Sequence, residues 1–296
     1  MANLNKEVWV NQLMEKFYPE SSFLNYVRDF SSLTENDAIN LAEAGVDPVV
    51  LINNKTYPIK IVQRVDTPIR IELDTFETEN TLVRRPEVIE YAYDQLESVL
   101  MGHRNILRLR TAEKAAHAYA PNSDTKDTPV IVTDGSPSRD NTRKMLTFDN
   151  ILELKERFDN LGIPFENRYL VLHPSHATDL IKQDVKAFKD LADIVNGQPK
   201  RFGGFGLLQF PNMPLYDFET LEKVEFGAEP EEEHTFCSFA FYGDEVMKAD
   251  GQIYMYIRED DPEERGTIVG FDKRFVALPI RNKGIGAIVS HPFPVG

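Results

Sequence analysis

The chain has one cysteine, Cys237, in 296 residues. That excludes an internal disulfide framework and a four-cysteine zinc ribbon. Apolar runs are short. No stretch of about eighteen such residues is present to span a bilayer, and the polar start MANLNKEVWVNQL lacks the apolar segment of a secretion signal. A soluble chain in a reducing interior, starting at its own first residue, is the expectation. Basic residues are also scarce, with 33 Lys and Arg against 48 Asp and Glu for a net charge of -15. Duplex affinity comes largely from cations that neutralise phosphates, which argues against a sequence-reading DNA binder. The deficit is local: between Asp217 and Glu264 sixteen acidic residues face three basic ones, so the rest of the chain is close to neutral.

What is present suits a packed core, with 42% hydrophobic and 10% aromatic residues in a length that fits one large domain or two modest ones. Residues 6 to 31 place Val8, Leu13, Met14 and Phe17 on a helix-like stripe, break at Tyr18-Pro19, and resume with Phe23, Leu24 and Val27, giving an amphipathic leading arm. The stretch LAEAGVDPVVLINNKTYP is punctuated by Gly45, Pro48 and Pro58 and reads as extended. From Ile59 the period becomes two. Ile59, Ile61 and Val65, then Ile69, Ile71 and Leu73 against Arg70, Glu72 and Asp74, predict a long hairpin with one polar face.

A helix is predicted over 86–119, opened by Pro86 and closed before Pro121, with Leu96, Val99, Leu100, Ile106 and Leu107 in its apolar stripe and alanines thinning its far end. Acids fill its first half and Arg104, Arg108, Arg110 and Lys114 its second, which complements the helix dipole. A loop follows over 121–144 with a short strand at Pro129 to Val132. Next come a helix ending at Gly162, a strand at Arg168 to Leu172, a helix near Ser175 to Lys189, short strands from Phe205 to Phe241, and an apolar end from Ile268 to Val289.

Candidate chemistry is thin. His173 and His176 in LVLHPSHATDLI give two possible metal ligands with Asp179 near them, but Pro174 and a Ser175 N-cap make the pair a strand-to-helix junction. Glu113 and His117 form one ExxH step where a di-iron bundle needs two. RFGGFGLL runs into a strand-like segment where a phosphate loop needs a helix start, so it reads as a turn. His234 and Cys237 sit in the aromatic strand TFCSFAFY, where a lone thiol is buried filler. The runs EPEEEH and REDDPEER lack the calcium-loop ladder and read as solvated tips. No catalytic, cofactor-binding or metal residue is assigned, and the chain is not read as an enzyme. A metal-dependent hydrolase using His173, His176 and an acidic residue stands as the rival of a different class.

The segment INLAEAGVDPVVLINNKTYPIKIVQRVDTPIRIELDTFETENTLVRRPEVIEYAYDQLESVLMGHR resembles the arm, loop and spine-helix order of major capsid proteins of tailed double-stranded DNA bacteriophages, of the Hong-Kong-97-type fold. LVLHPSHATDLI is similar to the strand-to-helix opening of that family's axial domain, RFGGFGLLQFPNMPLYD to its continuation, and GFDKRFVALPIRNKGIGAIVS to the return into its peripheral domain. The resemblance implies an α+β chain divided into an N-terminal arm (1–45), an extended β-hairpin loop (46–85), a peripheral domain with the spine helix (86–167), an axial domain (168–267) and a return to the peripheral domain (268–296). It implies self-assembly into pentamers and hexamers of an icosahedral shell enclosing DNA without reading its sequence. It further implies a place in the virion, assembly in the host cytoplasm, no membrane, and scaffold, portal and decoration proteins as partners. An encapsulin nanocompartment shares the fold and is the nearer alternative. Lys55, Lys60 and Asn282 are residue types that crosslink in some members, but nothing in the sequence brings them together.

Overall fold

The computed structural model describes residues 17–19, 22–35, 37–43, 67–84, 95–183 and 201–292. The expectations for residues 1–16, for Ile59 to Val65 and for the helix start at 86–94 lie outside the described residues. In chain order the strands are β1 (Arg28–Asp29), β2 (Thr34–Glu35), β3 (Ala38–Glu43), β4 (Thr67–Glu72), β5 (Asp74–Glu77) and β6 (Thr81–Arg84). Helix α1 (Gln95–Tyr119), β7 (Val130–Val132), α2 (Phe148–Asn160), β8 (Arg168–Leu172) and α3 (Pro174–Gln183) follow. The chain continues with β9 (Arg201–Phe202), β10 (Phe205–Gln209), β11 (Leu215–Asp217), β12 (His234–Tyr242), β13 (Val246–Asp261), β14 (Gly266–Pro279) and β15 (Ile285–Val289).

Seven strands form one sheet in the order β7-β15-β12-β8-β10-β9, with β11 also on β12. Central β12 runs antiparallel to both β15 and β8, while β8 with β10 and β15 with β7 are parallel pairs. Cys237 to Phe241 are buried without a break, as expected of a strand covered on both faces. Period two sorts the residues. Leu170, Leu172, Ala240 and Ile288 pack with Ile151, Leu154 and Phe158 of α2 and Ala177 and Leu180 of α3. Val171, Phe239, Phe241, Ala287 and Val289 pack on the other side with Phe23, Leu24 and the alanine-rich end of α1. Helix α2 starts on a capping box in which the Thr147 hydroxyl accepts from the Asn150 N–H and the Asn150 side chain accepts from the Thr147 N–H.

The second sheet has five strands, in the order β1-β13-β14-β5 with β6 also on β14. Its spine is the antiparallel β13–β14 ribbon, bulged between Asp250 and Ile253 and again between Arg258 and Asp261. A third, small sheet joins β2, β3 and β4. The alternation expected from Ile69 onward holds where side chains are described: Leu73 is buried, and Arg70, Glu72 and Asp74 are exposed. Strand β4 pairs with β3, residues of the expected arm.

Helix α1 ties the two larger sheets together. Its N-terminal half buries Leu100 and Leu107 on Met255, Val269 and Phe271, and its C-terminal half lays Ala112, Ala115, Ala116 and Tyr119 on the seven-stranded sheet. Ile106, placed in the apolar stripe by its spacing, is instead exposed. The buried line drifts as the helix passes from one sheet to the other, and Ile106 falls outside it. The helix ends at Tyr119, ahead of Pro121 as expected. There Lys223, one of the three cations of the acidic region, donates from Nζ to the carbonyls of His117 and Ala120, each at 2.7 Å. A cation at a helix C-terminus offsets the dipole, and burial lowers this lysine to about 8.

The boundary at residue 267 falls inside β14, and β15, expected in a return segment, lies between β7 and β12 in the seven-stranded sheet. The described part of the leading arm is seated in its own subunit, with Phe17, Phe23, Leu24, Ala38 and Ile39 buried. Lys273, without solvent exposure, pairs with Asp250, and Tyr18 donates its hydroxyl hydrogen to the same carboxylate at 2.7 Å. The Lys273 ammonium also lies 4.0 Å from the Phe17 ring centroid. Among the described residues no helix is long and apolar enough to cross a membrane.

Candidate functional site

The histidine pair sits where β8 gives way to α3. Helix α3 begins at Pro174, one residue before the serine expected to cap it. The cap is His173: its Nδ1 accepts from the Ser175 N–H at 3.2 Å and its carbonyl accepts from the Ala177 N–H at 3.0 Å, with proline at the first helical position. His176 is buried one turn on. Its Nδ1 lies 2.7 Å from Ser238 Oγ, which also accepts from the His173 N–H at 3.0 Å. That hydroxyl, with one donor and two lone pairs, pairs with Nδ1 in either tautomer, and the ring's Nε2 is a buried atom with no hydrogen-bond partner. His173 stacks on Phe236 at 3.9 Å.

Asp179, the acid nearest the pair, is already engaged. Arg143 grips it in a fork, with Nη1 to Oδ2 at 2.6 Å and Nη2 to Oδ1 at 3.0 Å, and the Leu146 N–H adds a third donor at 3.1 Å. Among the described residues no group of three or more His, Cys, Asp or Glu is placed to hold a metal ion. The chemistry left to the pair is protonic. Burial, then Arg143 and His173, hold the His176 imidazole well below its usual 6.5. An unfolded chain takes up that proton as pH falls through 6.5, whereas the native fold resists it, so stability is full above that pH and declines below it. The thermal midpoint should fall between about pH 7 and about pH 5, and His176→Asn should flatten that decline. An unchanged slope in the variant would remove His176 from the cause.

The other candidates separate. Glu113 bonds Arg110 at 2.8 Å and also Asn212, while His117 Nε2 faces the Val224 carbonyl at 2.8 Å. RFGGFGLL is a turn: β9 and β10 pair antiparallel around Gly203 and Gly204, whose positive φ values of 54° and 84° suit glycine. Cys237 is buried in β12, its thiol pushed well up by burial, and its sulfur donates to the Pro214 carbonyl. His234 lies three positions earlier on the same strand, on the opposite face, and its Nδ1 accepts from the Glu231 N–H. Glu229 to Glu233 are exposed, as a solvated tip should be. At the β13–β14 tip, however, Asp261 is buried, paired with Arg258 at 2.8 Å and accepting from the Glu263 and Glu264 N–H groups.

Spacing alone did not reveal the surfaces that remain. Met101, Ile106 and Leu109 form an exposed apolar face on α1; Tyr254 and Tyr256 project from β13; Phe226 stands in the exposed acidic loop. The Tyr254 and Tyr256 alternation was the one available signal, since period two puts both on the face opposite Met255.

No family model matches the sequence, and no curated protein matches it. Solved structures do. The capsid of Ralstonia phage GP4 superposes with a TM-score of 0.62 at 11% identity, over 94% of this chain and 92% of that one. The capsid of cyanophage P-SCSP1u gives 0.61 at 13% identity, over 89% and 86%. The chain has the Hong-Kong-97-type capsid fold. The encapsulin complex of Synechococcus elongatus also matches, with a TM-score of 0.58 at 10% identity over 93% and 89% of the two chains. The α+β reading and the resemblance to phage capsid subunits are borne out at the level of fold. In this Hong-Kong-97-type chain LVLHPSHATDLI is a junction, where a histidine cap and a buried ring fix the start of α3.

Proposed function

We propose that this chain is a shell subunit, a major capsid protein whose copies form the pentamers and hexamers of an icosahedral wall around phage double-stranded DNA. The observation that carries the reading is the likeness of about nine-tenths of the chain to phage capsid subunits. In this reading the seven-stranded sheet with α2 and α3 is the axial domain, so that domain also takes in β7 and β15. The five-stranded sheet with α1 is the peripheral domain, and the extended-loop segment 46–85 returns into it through β5 and β6. Arm and loop reach neighbours through heterologous contacts that close into rings. The assembled wall belongs to the virion and is built in the host cytoplasm, with scaffold, portal and decoration proteins as partners. Its negative charge limits adhesion to the enclosed DNA.

The encapsulin reading is favoured by one observation, the match to the Synechococcus elongatus complex. The contents of particles recovered from the producing cell separate the two. Nuclease-protected duplex DNA is expected; particles filled with one enzyme and free of DNA would favour the encapsulin.

A further inference from the structure

Helix α1 turns an unusual face to solvent. Met101, Ile106 and Leu109 are 47%, 58% and 40% exposed, on the side opposite the buried Leu100 and Leu107. Between them lies Gly102, where an added Cβ would meet nothing within 4 Å, so the face has an open notch at the helix backbone. Three cations, Arg104, Arg108 and Arg110, belong to this part of the helix, no acid occurs between Ser98 and Ala112, and Glu113 just beyond pairs with Arg110 at 2.8 Å. At the C-terminal end of the same helix lies a feature of opposite sign, whose Phe226 ring rests one side on His117 and the Lys114 ammonium at 5.0 Å and turns the rest to solvent. The segment Glu225 to Glu233 is exposed throughout and carries five glutamates, no cation and one large apolar side chain, Phe226, which is 41% exposed.

We propose that these two surfaces meet between copies: the Gly102 notch of one chain takes the exposed part of Phe226 from a second copy, and that copy's glutamates face Arg108 and Arg110. A single apolar anchor in a small pocket, rimmed by complementary charge, is the arrangement from which interfaces draw most of their affinity and their steering. The contact is heterologous, since notch and loop are different surfaces, so repetition extends it around a ring. This inference rests on the reading of the chain as a self-assembling subunit.

Gly102→Leu tests it. The space is open and leucine is the better helix former, so the variant's own fold should be at least as stable as wild type, while the notch is filled. Sedimentation velocity across a concentration series should show self-association weakened about tenfold or more, with an unfolding transition at or above that of wild type. Glu232→Lys with Glu233→Lys should weaken association similarly and make it less sensitive to salt. Adding Arg108→Glu and Arg110→Glu to that pair should restore it. Wild-type association with no loss in Gly102→Leu or in the loop variants overturns this contact and leaves the shell reading intact. A wild-type chain that stays monomeric at every concentration overturns both.

Discussion

Lys273→Ala is expected to destabilise the unassembled chain by about 3–5 kcal/mol. The ammonium has no exposure and Asp250 only 12%, so little water is available to take over from either partner. Burial lowers the lysine from its ordinary value, with the Asp250 carboxylate opposing that shift. Removing the cation strands a carboxylate beneath Tyr18, whose hydroxyl donates at 2.7 and 2.9 Å but carries no charge. Because one oxygen pair is partly solvated, the lower end of the range is the better expectation. The double replacement Lys273→Met with Asp250→Leu should recover most of the loss, since an apolar pair of similar volume avoids the desolvation of both ions. Urea unfolding of the wild type, the single variant and the double variant measures this. Equal losses in the single and double variants would show that packing, and not the ion pair, sets the cost.

Phe23→Ala should cost a similar amount, about 3–5 kcal/mol, by the loss of buried ring and the cavity left behind. Phe23 is 2% exposed and meets three rings edge-on: Tyr119 of α1 at 6.2 Å, Phe210 at 5.4 Å and Phe239 of β12 at 5.5 Å. It fastens the leading segment to both α1 and the seven-stranded sheet, so its loss should also raise amide exchange in residues 22–30 more than elsewhere. A loss under about 1 kcal/mol, with exchange unchanged, would mean that this segment is held from elsewhere.

Local features were legible before any coordinates. The Arg168–Leu172 strand, the helix closed near Gly162, the end of α1 before Pro121 and the short strand near Val130 each rest on periodicity, a cap or a proline, all written within a few residues. Long-range pairing was not. Strands β5 and β6 pair with β14, roughly 190 residues away, and β7 with β15 across more than 150, and neither partner's pattern names the other. The same limit explains Ile106, whose spacing fits an apolar stripe but whose exposure depends on where the helix crosses between sheets. For the histidine pair, the strand-to-helix junction expected from Pro174 and Ser175 lies between β8 and α3. The cap is expected on Ser175 because serine is the commoner cap, whereas proline at the first helical position leaves that role to His173.

Electron microscopy of the purified full-length chain, alone and with its own scaffold if one is encoded beside it, tests the central claim most directly. Closed particles of uniform diameter with fivefold and sixfold capsomers are predicted. A chain that remains a single subunit under every such condition would contradict it.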